Sequence, residues 1–243
     1  MNFYAVIIGT EILNGRRVDK HFEFLKNELA KYGHELFASF VIKDDAELMK
    51  RTYRLIKEDT NAVMFSFGGI GSTPDDLTRE VASEIFRKAK LQTHEKFKKD
   101  IIEKFGNEAF PYRVHMADLP PNTKLLPNPV NNMSGFSLDN RFFFMPGFPS
   151  MSHPMVTKII KNYFHKAKKK YRYTLKAQTS ENTLIHLMQE LPNSIELSSL
   201  PIFIDNKPNV ELSLSGKNNE KVKKYFAMFT KELEQKNIPF ELI

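Results

Sequence analysis

The chain has no cysteine among its 243 residues. That absence excludes disulfides, thiolate nucleophiles and cysteine-held metals, and it fits a reducing compartment. No segment approaches the ~20 consecutive apolar residues of a membrane span, and residues 1–9 lack a basic stretch followed by an apolar run of secretory length. A cytoplasmic location and no membrane partner are therefore expected. Internal repeats and low-complexity tracts are absent too. Neither common nucleotide fingerprint occurs: there is no G-x-x-x-x-G-K-[ST], and Gly69-Ile70-Gly71-Ser72-Thr73-Pro74 lacks the final glycine of G-x-G-x-x-G. P-loop and Rossmann nucleotide folds are disfavoured.

What the sequence does hold is concentrated in Phe65 to Glu80. An apolar run, Ala62 to Phe67, stops at Gly68, Gly69 and Gly71, and an apolar helical spacing (Leu77, Val81, Ile85, Ala89) follows. This is the pattern of a strand, a tight loop and a helix. Glycines let a ligand approach the backbone closely. Thr73 is placed as N-cap, Pro74 at the first helical position and Asp76 at a capping-box spacing. Loop N–H groups at such a helix start favour phosphate, yet Asp75 and Asp76 would repel it. A divalent cation reconciles the two, Mg²⁺ first among them because it takes one or two carboxylates and completes its shell with water and phosphate. The alternative at this point is that both aspartates only complement the helix dipole.

Tyr4 to Ile8 forms a second buried-strand pattern and ends in Gly9-Thr10-Glu11-Ile12-Leu13-Asn14-Gly15. A helix follows over residues 18–32, with Phe22, Leu25, Leu29 and Tyr32 on one face and Gly33 closing it. Leu36 to Ile42 is the next strand, then a helix capped by Asp44 or Asp45 with Leu48, Leu55 and Ile56 inward. The β-α-β-α-β-α order over residues 1–90 predicts an α/β fold with a parallel sheet and ligands at the carboxyl ends of its strands. Glu11, Asp44 and Asp76 all lie just beyond such ends. A charged amphipathic helix over 93–105, a hairpin through Asp139-Asn140 and a helix over about 150–169, starting late because of Pro154, complete a domain of residues 1–170. Residues 171–243 read as a small α+β domain: a strand over 173–177, a helix over 181–191, strands near 195–197, 201–204 and 210–214, and a helix over 217–235 with Val222, Phe226 and Phe229 inward.

The net charge is +7, and residues 171–243 contain nine Lys/Arg against nine Asp/Glu, so the excess lies in the first domain. Part of it is Lys166, Lys168, Lys169 and Lys170, in a run that continues to Arg172 and is read as a solvated helix end and linker. A basic first domain suits a phosphorylated small molecule as well as a polyanion.

Four phrases resemble a known family, in its order. Gly68 to Glu80 resembles the G-G-[IL]-G-P-T-x-D-D-x-T motif of molybdopterin-binding-like domains, and Gly9 to Gly15 resembles G-D-E-[IL]-L-x-G. Leu126-Pro127-Asn128-Pro129-Val130 with Gly135-Phe136 resembles L-P-N-P-V followed by G-F, and Pro146-Gly147-Phe148-Pro149 resembles P-G-V-P. The branch is similar to the competence/damage-inducible protein A (CinA) family, with the N-terminal domain of eukaryotic FAD synthases as a relative. The resemblance covers residues 3–165 and implies a three-layer α/β/α sandwich with a mostly parallel sheet. It implies metal-dependent hydrolysis of a nucleotide pyrophosphate, ADP-ribose or an FAD-like substrate, or alternatively non-catalytic binding of molybdopterin or a nucleotide.

By the same resemblance, Asp76, Asp44 and Glu11 are the catalytic and metal-holding residues, with Mg²⁺ and, in its place, Mn²⁺ or Co²⁺. Gly68, Gly69, Gly71, Ser72, Thr73, Asp75 and Thr78 form the phosphate side of the pocket, and Asn128 and Gly147 the far wall. A homo-oligomer is implied as well. Departures are Thr10 where aspartate is usual, Lys20-His21 for Thr-Asn, Ser72 for proline, and Met151 near a usual glutamate. For His21 the two readings are a phosphate contact and a surface residue, the second being the more common for a lone histidine at a helix start. The amidohydrolase domain that many CinA proteins carry is not within these residues, so nicotinamide mononucleotide deamidation is not expected of them. The tail has some likeness to KH domains, but Gly216 is its only glycine. The G-x-x-G backbone clamp cannot be built, and no nucleic-acid partner is expected.

Overall fold

The computed structural model describes residues 1–165 and 170–243, and the chain divides into two compact units, 1–167 and 168–243. Lys166, Lys168 and Lys169 of the basic run, and the predicted end of the long helix, lie outside the described residues.

In the first unit β1 (Asn2–Ile8) is buried on both faces, and the alternation of side chains along a strand decides the layering. Tyr4, Val6 and Ile8 enter one core, and Phe3, Ala5 and Ile7 enter the other. A short turn of helix, α1 (Thr10–Leu13), precedes α2 (His21–Ala30), β2 (Leu36–Ile42), α3 (Ala46–Glu58) and β3 (Ala62–Phe67). Next come α4 (Thr78–Ala82), which widens into a π-helical turn at Ser83–Arg87, and β4 (Gln92–Thr93), α5 (Glu95–Phe105) and β5 (Asp118–Leu119). β6 (Lys124–Leu126), β7 (Gly135–Leu138), β8 (Phe142–Met145) and α6 (Pro149–Tyr163) close the unit. The main sheet runs β2-β1-β3-β8-β7-β6. Its first four strands are parallel, and β7 alone runs against them, pairing antiparallel with β8 on one side and with β6 on the other. Helices α3, α4 and α5 cover one face, through Tyr53, Val81 and Ile101. Helices α2 and α6 cover the other, through Leu25, Leu29, Val156 and Ile160. This is the expected three-layer sandwich.

Differences from the sequence reading have local causes. α2 begins at His21, where Asp19 accepts from the N–H groups of His21 and Phe22. Its inner face is then His21, Leu25, Glu28 and Leu29, while Phe22 is 43% exposed. In α3 the buried stripe is Met49, Thr52, Tyr53 and Ile56, which turns Leu48 and Leu55 outward. Asp45 caps that helix by accepting from Leu48 N–H at 2.8 Å, leaving Asp44 for another role. Pro154 does not delay α6. The helix starts at Pro149, where a missing N–H is harmless, and carries Pro154 inside it. The Asp139-Asn140 hairpin forms, both residues having positive φ (56° and 52°), as a type I′ turn requires.

The second unit contains β9 (Tyr171–Ala177), α7 (Ile185–Gln189), β10 (Glu196–Ile204), β11 (Lys207–Gly216), α8 (Asn219–Gln235) and β12 (Phe240–Leu242). Its sheet order is β10-β11-β9-β12. The two strands predicted over 195–204 are one, because β10 is an edge strand and Pro201 there interrupts no ladder on its free side. β12 was not foreseen. Val222, Phe226 and Phe229 are buried against the sheet, as their spacing predicts. No helix among the described residues is long and apolar enough to cross a membrane.

Candidate functional site

The four parallel strands end side by side, since Ile8 pairs with Ile42, Ile7 with Phe67, and Phe67 with Met145. Each is followed at that edge by one part of the predicted site. Beyond β3, Gly68 and Gly69 take positive φ (102° and 68°). Four consecutive carbonyls of this loop accept hydrogen bonds from α4. Thr78 Oγ1 donates to Gly68 O (2.9 Å) and Thr78 N to Gly69 O (3.0 Å). Arg79 Nη1 donates to Ile70 O (2.6 Å) and to Gly71 O.

A trans peptide plane points its N–H opposite its C=O. With the carbonyls of Gly68 to Gly71 drawn toward Thr78 and Arg79, the N–H groups of Gly69, Ile70, Gly71 and Ser72 face the other way. None of these four has a partner among the described residues, and all four residues are part-exposed. Successive N–H groups presented in this manner form an anion-binding concavity. Arg79, 8% exposed, was not singled out from the sequence. An arginine one residue inside a helix reads as solvated, and nothing short of the fold reveals that it gathers two carbonyls.

The predicted cap at Thr73 is corrected. Residues 73–76 form a turn, and α4 begins only at Thr78. Half of the capping box survives, with Asp76 Oδ2 accepting from Thr73 N at 2.8 Å. Thr73 Oγ1 lies 2.5 Å from Asp75 Oδ1 and 2.6 Å from Asp76 Oδ2, so two carboxylates converge on one hydroxyl. That hydroxyl holds the Asp75 carboxyl below its ordinary value. A Cβ on Gly71 would stand 2.5 Å from Asp76 Oδ2. The Asp76 carboxylate therefore lies against the loop that carries the N–H groups.

Beyond β1, Thr10 donates twice to Asp44 Oδ2, from its N–H (2.8 Å) and its hydroxyl (2.9 Å). Glu11 folds over Gly9 and meets Arg17 at 3.9 Å. The group a cation would meet is hard oxygen throughout: Oδ1 of Asp44 and Oδ1 of Asp76 receive no hydrogen bond among the described residues. This fits Mg²⁺-type binding through one or two carboxylates completed by water and phosphate. Glu11, Asp44 and Asp76 do not form a closed protein cage, because no three His, Cys, Asp or Glu among the described residues group to hold a metal.

Beyond β8, Gly147 backs onto Gly68, its missing Cβ falling 3.3 Å from Gly68 Cα. Asn128 is placed otherwise. It is buried and bonds within its own loop, accepting from Val130 N and donating to Asn131 Oδ1. Its loop lines a separate cleft of about 700 Å³ beside α5.

A family model described as the probable molybdopterin binding domain matches residues 4–166. The chain belongs to this family. Among its relatives is a CinA-like protein of Acaryochloris marina, 33% identical over 158 residues that make up 62% of this chain and 37% of that protein. A putative competence-damage inducible protein of Clostridium kluyveri is 26% identical over 242 residues, 96% of this chain and 56% of that one. The chain thus spans between about a third and just over half the length of these relatives. The crystal structure of CinA from Thermoplasma acidophilum, described as of unknown function, superposes with a TM-score of 0.60 at 28% identity. That alignment covers 66% of this chain and 96% of the other.

In this molybdopterin-binding-family domain His21 is not the surface residue expected. It is 3% exposed, stacked on Phe67 at 4.3 Å, and within 3.2 Å of Gly147 O through Nε2. Nδ1 is buried without a partner among the described residues. His153 stands edge-on at 5.4 Å. Burial pushes His21 below its ordinary 6.5, opposed by the Gly147 hydrogen bond and Asp19. His153 is lowered by burial and then by His21. Histidines with depressed folded values give stability that is present above the unfolded value and is lost as pH falls through it. The urea midpoint should therefore drop between pH 7 and pH 5, and His21→Gln should flatten that drop. A pH slope identical in the variant would show that His21 titrates as freely folded as unfolded.

Proposed function

We propose that the domain binds a nucleotide pyrophosphate on the Gly69–Ser72 N–H groups and hydrolyses it, ADP-ribose or an FAD-like molecule being the substrate. The observation that supports this most is the capture of the Gly68–Gly71 carbonyls by Thr78 and Arg79, which leaves four N–H donors aimed together. Preorganised donors of this kind stabilise charge that develops on phosphate oxygens without reorganising. Asp76 and Asp44 would hold the divalent cation, with Glu11 in place of Asp44 as the alternative; when bound, the cation neutralises the phosphates and acidifies a water. Water adds to one phosphorus, the bridging P–O bond breaks, and AMP leaves with the second phosphate ester and one released proton.

The test is AMP release from ADP-ribose and FAD with Mg²⁺, Mn²⁺ or Co²⁺. Activity should vanish with excess chelator, and Asp76→Asn should reduce it by about 100-fold or more, the order of effect for removing an electrostatic catalytic group. The turn should survive in that variant, because the asparagine carbonyl still accepts from Thr73 N. Parent-rate AMP release by Asp76→Asn would sink the assignment.

A second reading, binding of a nucleotide or molybdopterin without turnover, draws on Thr10. Its two donors occupy Asp44 Oδ2, an oxygen that a cation would otherwise take. Tight binding with no product under any of the three metals favours this reading. Assembly into a homo-oligomer belongs to the same proposal and is read by light scattering.

A further inference from the structure

The turn between β8 and α6 is held on both sides. Gly147 packs against Gly68, and its carbonyl faces His21 Nε2. Phe148, the next residue, is fixed through its own carbonyl, which accepts from the N–H groups of Met151 (2.9 Å) and Ser152 (3.0 Å) and from Ser152 Oγ (3.1 Å). Its backbone is thus anchored, yet the residue is 53% exposed. Single exposed aromatics are ordinary on a protein surface; Phe148 is set apart by its place, in the turn that packs on Gly68 at the strand-end edge.

Across from the ring stands Arg17, with its guanidinium carbon 5.7 Å from the ring centroid. Arg17 is itself positioned at the strand-end edge, its N–H donating to Glu11 O at 2.9 Å and its guanidinium 3.9 Å from the Glu11 carboxylate. At 5.7 Å the two groups attract as a cation–π pair but do not touch. A flat ring between them needs about 7 Å, twice a van der Waals contact of ~3.5 Å. An outward shift of little more than ~1 Å by an exposed arginine side chain supplies it.

We infer that Phe148 and Arg17 form a clamp for the planar heteroaromatic ring of a ligand whose phosphates lie on the Gly69–Ser72 N–H groups. The inference rests on the proposed phosphate site and adds to it the part of the ligand that is recognised. The placement suits it: Gly147, next to Phe148, packs on Gly68, the residue that precedes the Gly69–Ser72 N–H groups. Purine and pterin rings share the chemistry required, an electron-rich plane that stacks on phenyl and on guanidinium.

Calorimetric titration in Mg²⁺ with ADP, neopterin triphosphate and pyrophosphate tests it, using the full chain and its Phe148→Ala, Phe148→Tyr and Arg17→Gln variants. Phe148→Ala should weaken the ring-bearing probe about tenfold or more and leave pyrophosphate within about twofold, the scale of losing one base–aromatic stack. Phe148→Tyr should restore it, and Arg17→Gln should fall between. The chain has no tryptophan, so Phe148→Trp places a unique fluorophore there, which ADP should quench and pyrophosphate should not. Whether ADP or neopterin triphosphate binds more tightly identifies the ring.

Equal loss of pyrophosphate and ADP in Phe148→Ala overturns the clamp, as does unchanged ADP affinity. Wild type that binds pyrophosphate as well as ADP also overturns it while leaving the phosphate site standing. Ring-dependent binding with no AMP release keeps the clamp and overturns the hydrolytic reading. Failure of all three probes to bind wild type overturns both.

Discussion

Gly68→Ala is expected to lower the melting temperature of the first unit by about 10 °C. Its φ of 102° is one that residues with a side chain rarely adopt, and a Cβ there would run into the carbonyl oxygen of Ile8. The strand cannot retreat, because Gly68 N–H donates to Met145 O at 3.0 Å and Gly68 O accepts from Thr78 Oγ1 at 2.9 Å. Backbone strain of about 1–3 kcal/mol and overpacking of about 1–3 kcal/mol both apply. A total near 4 kcal/mol is a large share of the roughly 5–15 kcal/mol that holds a domain together. Gly15 supplies the control. It also has positive φ, 77°, but nothing lies within 4 Å of its Cβ position, so Gly15→Ala should cost about 1 kcal/mol from strain alone. Melting curves that superpose for the two variants would show that the contact with Ile8 does not constrain the loop.

Arg79→Met is expected to reduce pyrophosphate affinity at least tenfold and to cost about 2–3 kcal/mol of stability, the range for hydrogen bonds to a charged donor. The side chain of methionine fills the space but offers no N–H. The carbonyls of Ile70 and Gly71 then lose their donor, and the two peptide planes are free to rotate their N–H groups away from the anion. Part of the stability loss is offset, since the buried guanidinium is itself held below its ordinary affinity for a proton by desolvation and its Nε has no partner among the described residues. Arg79→Lys should recover the charge but not the affinity, because the ammonium ends one atom short of the Nη1 that reaches both carbonyls and is more strongly hydrated. Full anion affinity in Arg79→Met, measured by calorimetry beside an unfolding curve, would remove Arg79 from the account.

The sheet was legible because short continuous apolar runs, such as Tyr4 to Ile8, alternate with apolar residues at helical spacing, such as Leu25 and Leu29. The glycine loop was legible because an apolar run ended in residues that tolerate positive φ. Other features were degenerate in one dimension. Leu48/Leu55 and Met49/Tyr53 both fit a helical stripe, and the fold buries the second, with Tyr53 bonded to Ser66 within the core. Thr73-Pro74 carries a helix-start signal that the chain overrides, since Thr78 must reach Gly68 O before α4 can begin. His21 and Arg79 depend on partners 126 and 8–9 residues away. No local pattern encodes the longer of these pairings.

Because β1, β2, β3 and β8 all run one way, their starting ends gather at the rim opposite the glycine loop. Thr60, exposed in the turn before β3, lies on that rim. In a chain with no cysteine, Thr60→Cys would give one attachment point for a dye or a solid support, with the glycine loop left facing solution.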